Sequence, residues 1–268
     1  MTVTDAGPGP GPGTAAIDPR LRARRIAVRR DEGRKRLRRL TGLGVFAAAL
    51  LLAVAITRSP FLDVDRVQVS GATHTSTDAV QRAAGIRHHA PMTDLDLDKA
   101  RQGVLALPWV RSVSITRSWP ATVRVVITER TAVAVVSAGA SGFALVDGDG
   151  RVLETSAEPP AGYVLLANVP EPGAPGTTID ASASDVLAVA RALPAALRPK
   201  VSTVVAQRDG VELRLVAGGV VRLGPATDLA PKLAAADTVL SEADITNLCA
   251  VDVHVASAPS LTRGKPCL

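Results

Sequence analysis

The residues able to do chemistry in this chain are few and scattered. His88 and His89 stand side by side, and the two cysteines, Cys249 and Cys267, both fall in the last twenty residues. Adjacent histidines point apart in a strand or turn, and no set of cysteines or acids completes a zinc site around them. Asp147 and Asp149 in VDGDG resemble the start of a calcium loop. An EF-hand, however, needs several more oxygen ligands at fixed spacing, so an Asp-Gly turn is expected instead. Asp94, Asp96 and Asp98 in TDLDLDK read as acids at a helix start, where carboxylates meet the positive end of the dipole. GPGPGPGT, Gly7 to Thr14, has the glycines of a phosphate loop without its lysine. No Gly-x-Ser-x-Gly, Ser-x-x-Lys or His-Glu-x-x-His pattern occurs. No catalytic, cofactor-binding or metal-binding residue is therefore assigned, and the chemistry expected is recognition. The cysteines leave two readings open. One is a disulfide in an oxidising compartment, which would contribute about 3 kcal/mol on the chain-entropy account; the other is a pair of free thiols.

Charge distribution sets the compartments. The net charge of +6 conceals one block, Arg20 to Arg39, with eleven Arg and Lys against two acids, while the remainder is slightly acidic. A nucleic-acid binder carries its base on a folded surface with groove-reading or aromatic elements. Here the base is confined to one arm, and no nucleic-acid partner is expected. Leu40 to Thr57, LTGLGVFAAALLLAVAIT, then runs eighteen residues without a charge. As a helix it would span roughly 27 Å, close to the roughly 30 Å of bilayer hydrocarbon. Arg39 and Arg58 can snorkel at its two ends. A buried core helix is the bland alternative, but it would not ordinarily follow so many cations. Ala53-Val54-Ala55 has the small-x-small form of a signal-peptide cleavage site. Against cleavage, the basic region is too long and the apolar run exceeds the usual signal length. The expectation is an uncleaved, single transmembrane helix over 40–57. Residues 1–39 form a disordered, basic cytoplasmic arm, and all that follows is extracytoplasmic.

The exported part reads as two modules. In FLDVDRVQVSG, Val67 and Val69 alternate with polar neighbours as in a strand closed by Gly71. A helix follows with Thr75 as its cap and Gly85 as its end, and a second spans Asp96 to Leu107 before Pro108. LPWVRSVSITRSWPATVRVVITER, residues 107–130, is then a hairpin. Val113 and Ile115 share a face with Trp109, Trp119-Pro120-Ala121 is the turn, and Val123, Val125 and Ile127 line one side of the return strand. One apolar face implies a sheet covered on one side, here by the helix pair. The tryptophans are expected to pack at the hairpin ends. The first module is thus strand–helix–helix–strand–strand over 61–130.

Residues 131–268 form the second module. ALVDGDGRVLE is a hairpin, 155–180 reads as an irregular connection, and a helix spans Ser182 to Leu193. Strands follow at Val201–Gln207, Val211–Val216 and Val220–Leu223, then a helix from about Asp228 to Leu240 with Pro231 in its first turn. AVDVHVAS, 250–257, is the last alternating strand and is expected at a sheet edge. The fold class is α+β, with a mixed, mainly antiparallel second domain carrying covering helices. An edge strand exposes unpaired amides and carbonyls to which another chain can add.

The run 107–130 resembles the POTRA domain of the bacterial FtsQ/DivIB cell-division proteins, with Leu-Pro-Trp-Val, a Trp-Pro turn and a strand ending in Glu129-Arg130. The likeness extends to the order basic arm, single anchor, POTRA, β domain. Ala132 departs from it, standing where the family commonly has proline. The resemblance implies a non-enzymatic, single-pass divisome assembly protein of the plasma membrane at the division septum. Such a protein would bind FtsB/DivIC and FtsL and so regulate septal peptidoglycan synthases. It also implies a partner-binding set. Val251, Asp252, Val253 and Ser257 follow the family's Val-Asp-Leu-x-x-x-Ser pattern, with His254 and Val255 where an Arg or a large aromatic is common. Arg222, Leu223-Gly224 and Lys232 match a stretch near the same surface. The alternative is a POTRA-containing anchored or secreted protein of envelope assembly or export.

Overall fold

The computed structural model describes residues 2, 38–55, 60–242 and 247–264. Most of the expected basic arm, the last two residues of the expected transmembrane run and Cys267 lie outside the described residues. The chain divides into two compact units, one up to Leu62 and one from Asp63 onward. Within the first, helix α1 (Arg38–Ala55) has a mean hydropathy of 1.6 and no buried part. By length and composition it is a candidate membrane span.

The second unit opens with β1 (Arg66–Ser70), α2 (Thr77–Ala84), α3 (Leu97–Leu105), β2 (Val110–Ser118) and β3 (Thr122–Glu129). The sheet order is β1-β3-β2, with β1 parallel and β2 antiparallel to the central β3. Local chemistry sets the helix ends. Ser76, one residue beyond the expected cap, accepts from the Ala79 amide, and Gly85 at φ 63° closes α2. Thr75 stands just before the cap, and its amide donates to Glu129 Oε1. Asp96 caps α3 by accepting from the amides of Asp98 and Lys99. Val80, Ala84, Ala100 and Val104 turn inward onto Val113, Val123, Val125 and Ile127. Each large aliphatic so buried contributes roughly 1.5–3 kcal/mol. Gly103 of α3 lies so close to the Ala83 carbonyl of α2 that a Cβ there would collide with it. That lets the two helices meet backbone to backbone.

The remaining elements are β4 (Ala132–Ser137), β5 (Phe143–Asp147), β6 (Val152–Ser156), β7 (Val164–Ala167), α4 (Ser184–Ala192), β8 (Val201–Gln207), β9 (Gly210–Leu215), β10 (Val220–Gly224), α5 (Leu229–Glu242), β11 (Leu248–Asp252) and β12 (Ser260–Arg263). They build one nine-stranded sheet, β12-β11-β10-β9-β8-β7-β4-β5-β6. Its pairs are antiparallel except β4·β7, β7·β8 and β10·β11. α4 and α5 cover one face, packing Val186, Val189, Leu233 and Ala236 against Val136, Val146, Val204 and Leu213. Two expectations need correction. The connection 155–180 contains β7, whose Val164 and Leu166 sit in the core, between β4 and β8. The chain also does not end its sheet at 250–257, because β12 follows.

A third correction concerns Trp109. A bulge in β2 between Val110 and Ser112 makes Arg111 the extra residue, so Val110 and Val113 both face the helices. Trp109 is thereby turned out of that face and packs against Val135, Leu145 and Leu153 on the side of the large sheet away from α4. His74 stacks on its indole at 4.0 Å and 3°. Around this contact the β3–β4 junction is tied on both sides. The Glu129 carboxylate accepts from the amides of His74 and Thr75, each at 3.0 Å, and lies 3.0 Å from His74 Nδ1. Burial pushes the Glu129 pKa up. The hydrogen bonds from the His74 ring and from the His74, Thr75 and Thr73 amides outweigh it and bring the group down to about 2. Arg130 Nη1 donates to Asp147 Oδ2 at 2.6 Å, and its Nε donates to the Val110 carbonyl at 3.2 Å. Asp147, which is buried, also accepts from the amides of Asp149 and Arg151. The expected turn is therefore present, and its first acid holds the two modules together, a role the sequence pattern did not signal.

Candidate partner-binding site

The residues matched to the partner pattern gather at the β10–β12 end of the large sheet. β10 and β11 run parallel, with Val220 beside Ala250, Val221 beside Val251 and Arg222 beside Asp252. β12 then pairs antiparallel with β11, setting Leu261 against Val251 and Ser260 against Asp252. No described strand pairs with the outer side of β12. The open edge is thus one strand further along the chain than the sequence suggests.

This register divides the predicted set. Val251 and Val253 are fully buried in the core. The Val253 amide donates to the Arg222 carbonyl at 3.0 Å, so it is spent within the chain and is not free for a partner. Lys232 is buried on α5, and its Nζ donates to the Pro225 carbonyl at 2.9 Å. That ties α5 to the chain leaving β10, and the lysine presents no free charge to a partner. The other residues do reach the surface. Arg222 is exposed on the open face, with Nε 3.8 Å from Glu212 Oε2 on neighbouring β9. Asp252 is half-buried, and its Oδ1 accepts from the His254 amide at 2.9 Å, which forms the turn that ends β11. His254, Val255 and Ser257 are exposed on the loop leading to β12. The His254 ring lies directly over Gly224, where φ is +64° and any Cβ would strike the imidazole. The loop is therefore seated on β10 rather than hanging free.

Cys249 is buried in β11 and is not a free thiol. Its expected bridge involves Cys267, which lies outside the described residues. Sequence reasoning missed β12 itself. SAPSLTR offers one inward apolar residue, Leu261, and a proline, and only the pairing with β11 makes it a strand.

The described residues thus comprise a candidate membrane-spanning helix, a β-α-α-β-β module and a mixed nine-stranded sheet. Residues 62–130 match the POTRA domain of FtsQ type, and residues 134–254 match the C-terminal domain of cell division protein FtsQ/DivIB. Cell division protein FtsQ of Streptomyces griseus is 30% identical over 208 residues, covering 76% of this chain and 99% of that one. FtsQ of Corynebacterium glutamicum is 33% identical over 127 residues, covering 47% of this chain and 56% of that protein. A solved extracytoplasmic domain of DivIB from Geobacillus stearothermophilus is 20% identical with a TM-score of 0.31, over 44% of this chain and 99% of that one. The chain belongs to the FtsQ/DivIB family of bacterial cell-division proteins. Proteins of this family act in the divisome with other division proteins.

Proposed function

We propose that this protein is a bitopic, non-enzymatic scaffold that holds FtsB/DivIC-type and FtsL-type partners at the septum and through them regulates septal peptidoglycan synthesis. The arm before α1 lies in the cytoplasm, and both folded modules lie outside, in accord with the block of arginines before the apolar run. The observation that carries the reading is the outer side of β12, with which no described strand pairs, at the end of a nine-stranded sheet. A partner segment adds there as a further strand. Its main chain supplies affinity, and the exposed Val255, His254 and Arg222 nearby supply side-chain contacts. A bridge between Cys249 and Cys267 would fasten the chain beyond β12 and keep that edge in place.

Proline at Val253 is a poor test, because it would remove an internal hydrogen bond. A photo-reactive residue at Thr262 on β12 tests the edge without that damage. Crosslinks to an FtsB/DivIC-type or FtsL-type partner are expected there, and none from the same probe at Glu154 on β6, the opposite edge. Equal yields from both positions would remove β12 as the docking strand.

A further inference from the structure

The second tryptophan is left largely uncovered by the described residues. Trp119 is 55% exposed at the tip of the β2–β3 hairpin. The tip is not loose. Arg117 beside it donates to the carbonyls of Met92 and Leu95, and the Ala121 carbonyl accepts from the amides of Asp65 and Arg66 at 2.9 and 3.1 Å. A large indole held in water on a rigid tip leaves apolar surface that a partner can cover.

Topology says which surface is near. β1 and β3 run parallel with Arg66 beside Thr122, so the hairpin tip and the start of β1 share one end of the small sheet. Asp65 stands eight positions after Thr57, where the uncharged run ends. Fully extended, that stretch reaches at most about 28 Å. The start of β1, which shares its end of the sheet with the hairpin tip, thus follows the uncharged run by only a short length of chain, while Trp109, at the other end of β2, faces the second module. Tryptophan is the side chain that favours the bilayer–water boundary, where its ring meets acyl chains and its N–H meets headgroups. Arg66 and Arg124 are exposed on the neighbouring strands, and their charge suits anionic headgroups.

From this we infer that the POTRA hairpin tip is a lipid contact: Trp119 inserts into the interfacial layer of the membrane that α1 spans. The contact would fix the tilt of the POTRA module against the bilayer and so the direction in which the β12 edge points. The inference rests on α1 being the anchor.

The test uses the full chain in vesicles of phosphatidylethanolamine and phosphatidylglycerol whose acyl chains carry bromine near the headgroup. In Trp109→Phe the remaining indole is Trp119, and its emission is expected to shift to the blue and to be largely quenched relative to bromine-free vesicles. In Trp119→Phe the emission of Trp109 should be unchanged by bromine. Should Trp109→Phe fail to fold, the difference between wild type and Trp119→Phe gives the same reading. Protein that floats with the vesicles yet shows an unquenched Trp119 overturns the lipid contact alone. Protein that fails to float overturns the anchor reading and the lipid contact with it.

Discussion

Trp109 and Trp119 are ten residues apart, each beside a proline, at the two ends of one strand, and they have opposite fates. Trp109 is 9% exposed, stacked on His74 and pressed against the large sheet, whereas Trp119 is 55% exposed at a turn. The residue type is the same, and each has a proline at its side, before Trp109 and after Trp119, so residue type alone does not decide the outcome. A one-residue bulge at Arg111 turns the first indole out of its own module and into the next. The second lies at the turn where β2 and β3 meet. One tryptophan serves as a joint, and the other is left for a surface outside the fold.

Mutations can break this contrast or sharpen it. The largest effect is expected from Trp109→Ala, which should cost about 3–5 kcal/mol in denaturant unfolding, as for other buried aromatics. A loss below about 1 kcal/mol would show that the joint does not depend on the indole. Glu129→Gln comes next and carries a pH signature. The carboxyl is held at about 2, below its ordinary 4.5, so its stabilisation is fully present above pH 4.5 and is lost as pH falls towards 2. The variant should be weaker than wild type by about 2–3 kcal/mol at neutral pH and converge with it near pH 2. A gap independent of pH would mean that the His74–Glu129 contact contributes only packing. Trp119→Ala should be nearly silent in lipid-free unfolding, within about 0.5 kcal/mol, as for an exposed site. A larger loss would mean that the tip is part of the core after all.

What the sequence made legible follows from local chemistry. Gly85, Asp96 and Pro108 mark helix ends by backbone conformation and hydrogen bonding, and they act where expected. The Asp-Gly turn between β5 and β6 is equally local, as are the alternating valines of β3. The failures are all tertiary. β7 is four residues inside a Pro- and Gly-rich stretch, and only burial between two parallel neighbours makes it central. β12 was hidden for the same reason, since its single apolar side chain gives no period to read. At the candidate edge the pattern points to the β10–β12 end of the sheet, where the last described strand is β12 rather than the expected 250–257 strand. Lys232 and Val253 then turned out to be internal, because a match in sequence carries no information on where a hydrogen bond goes.

The width of the large sheet sets the distance at which this protein can work. The Trp109 joint rests on β4, β5 and β6, and the open margin among the described strands is β12, with five strands between β12 and β4. At roughly 4.8 Å per step, β12 and β4 stand about 29 Å apart. A guest strand entering at one margin leaves the joint at the other untouched.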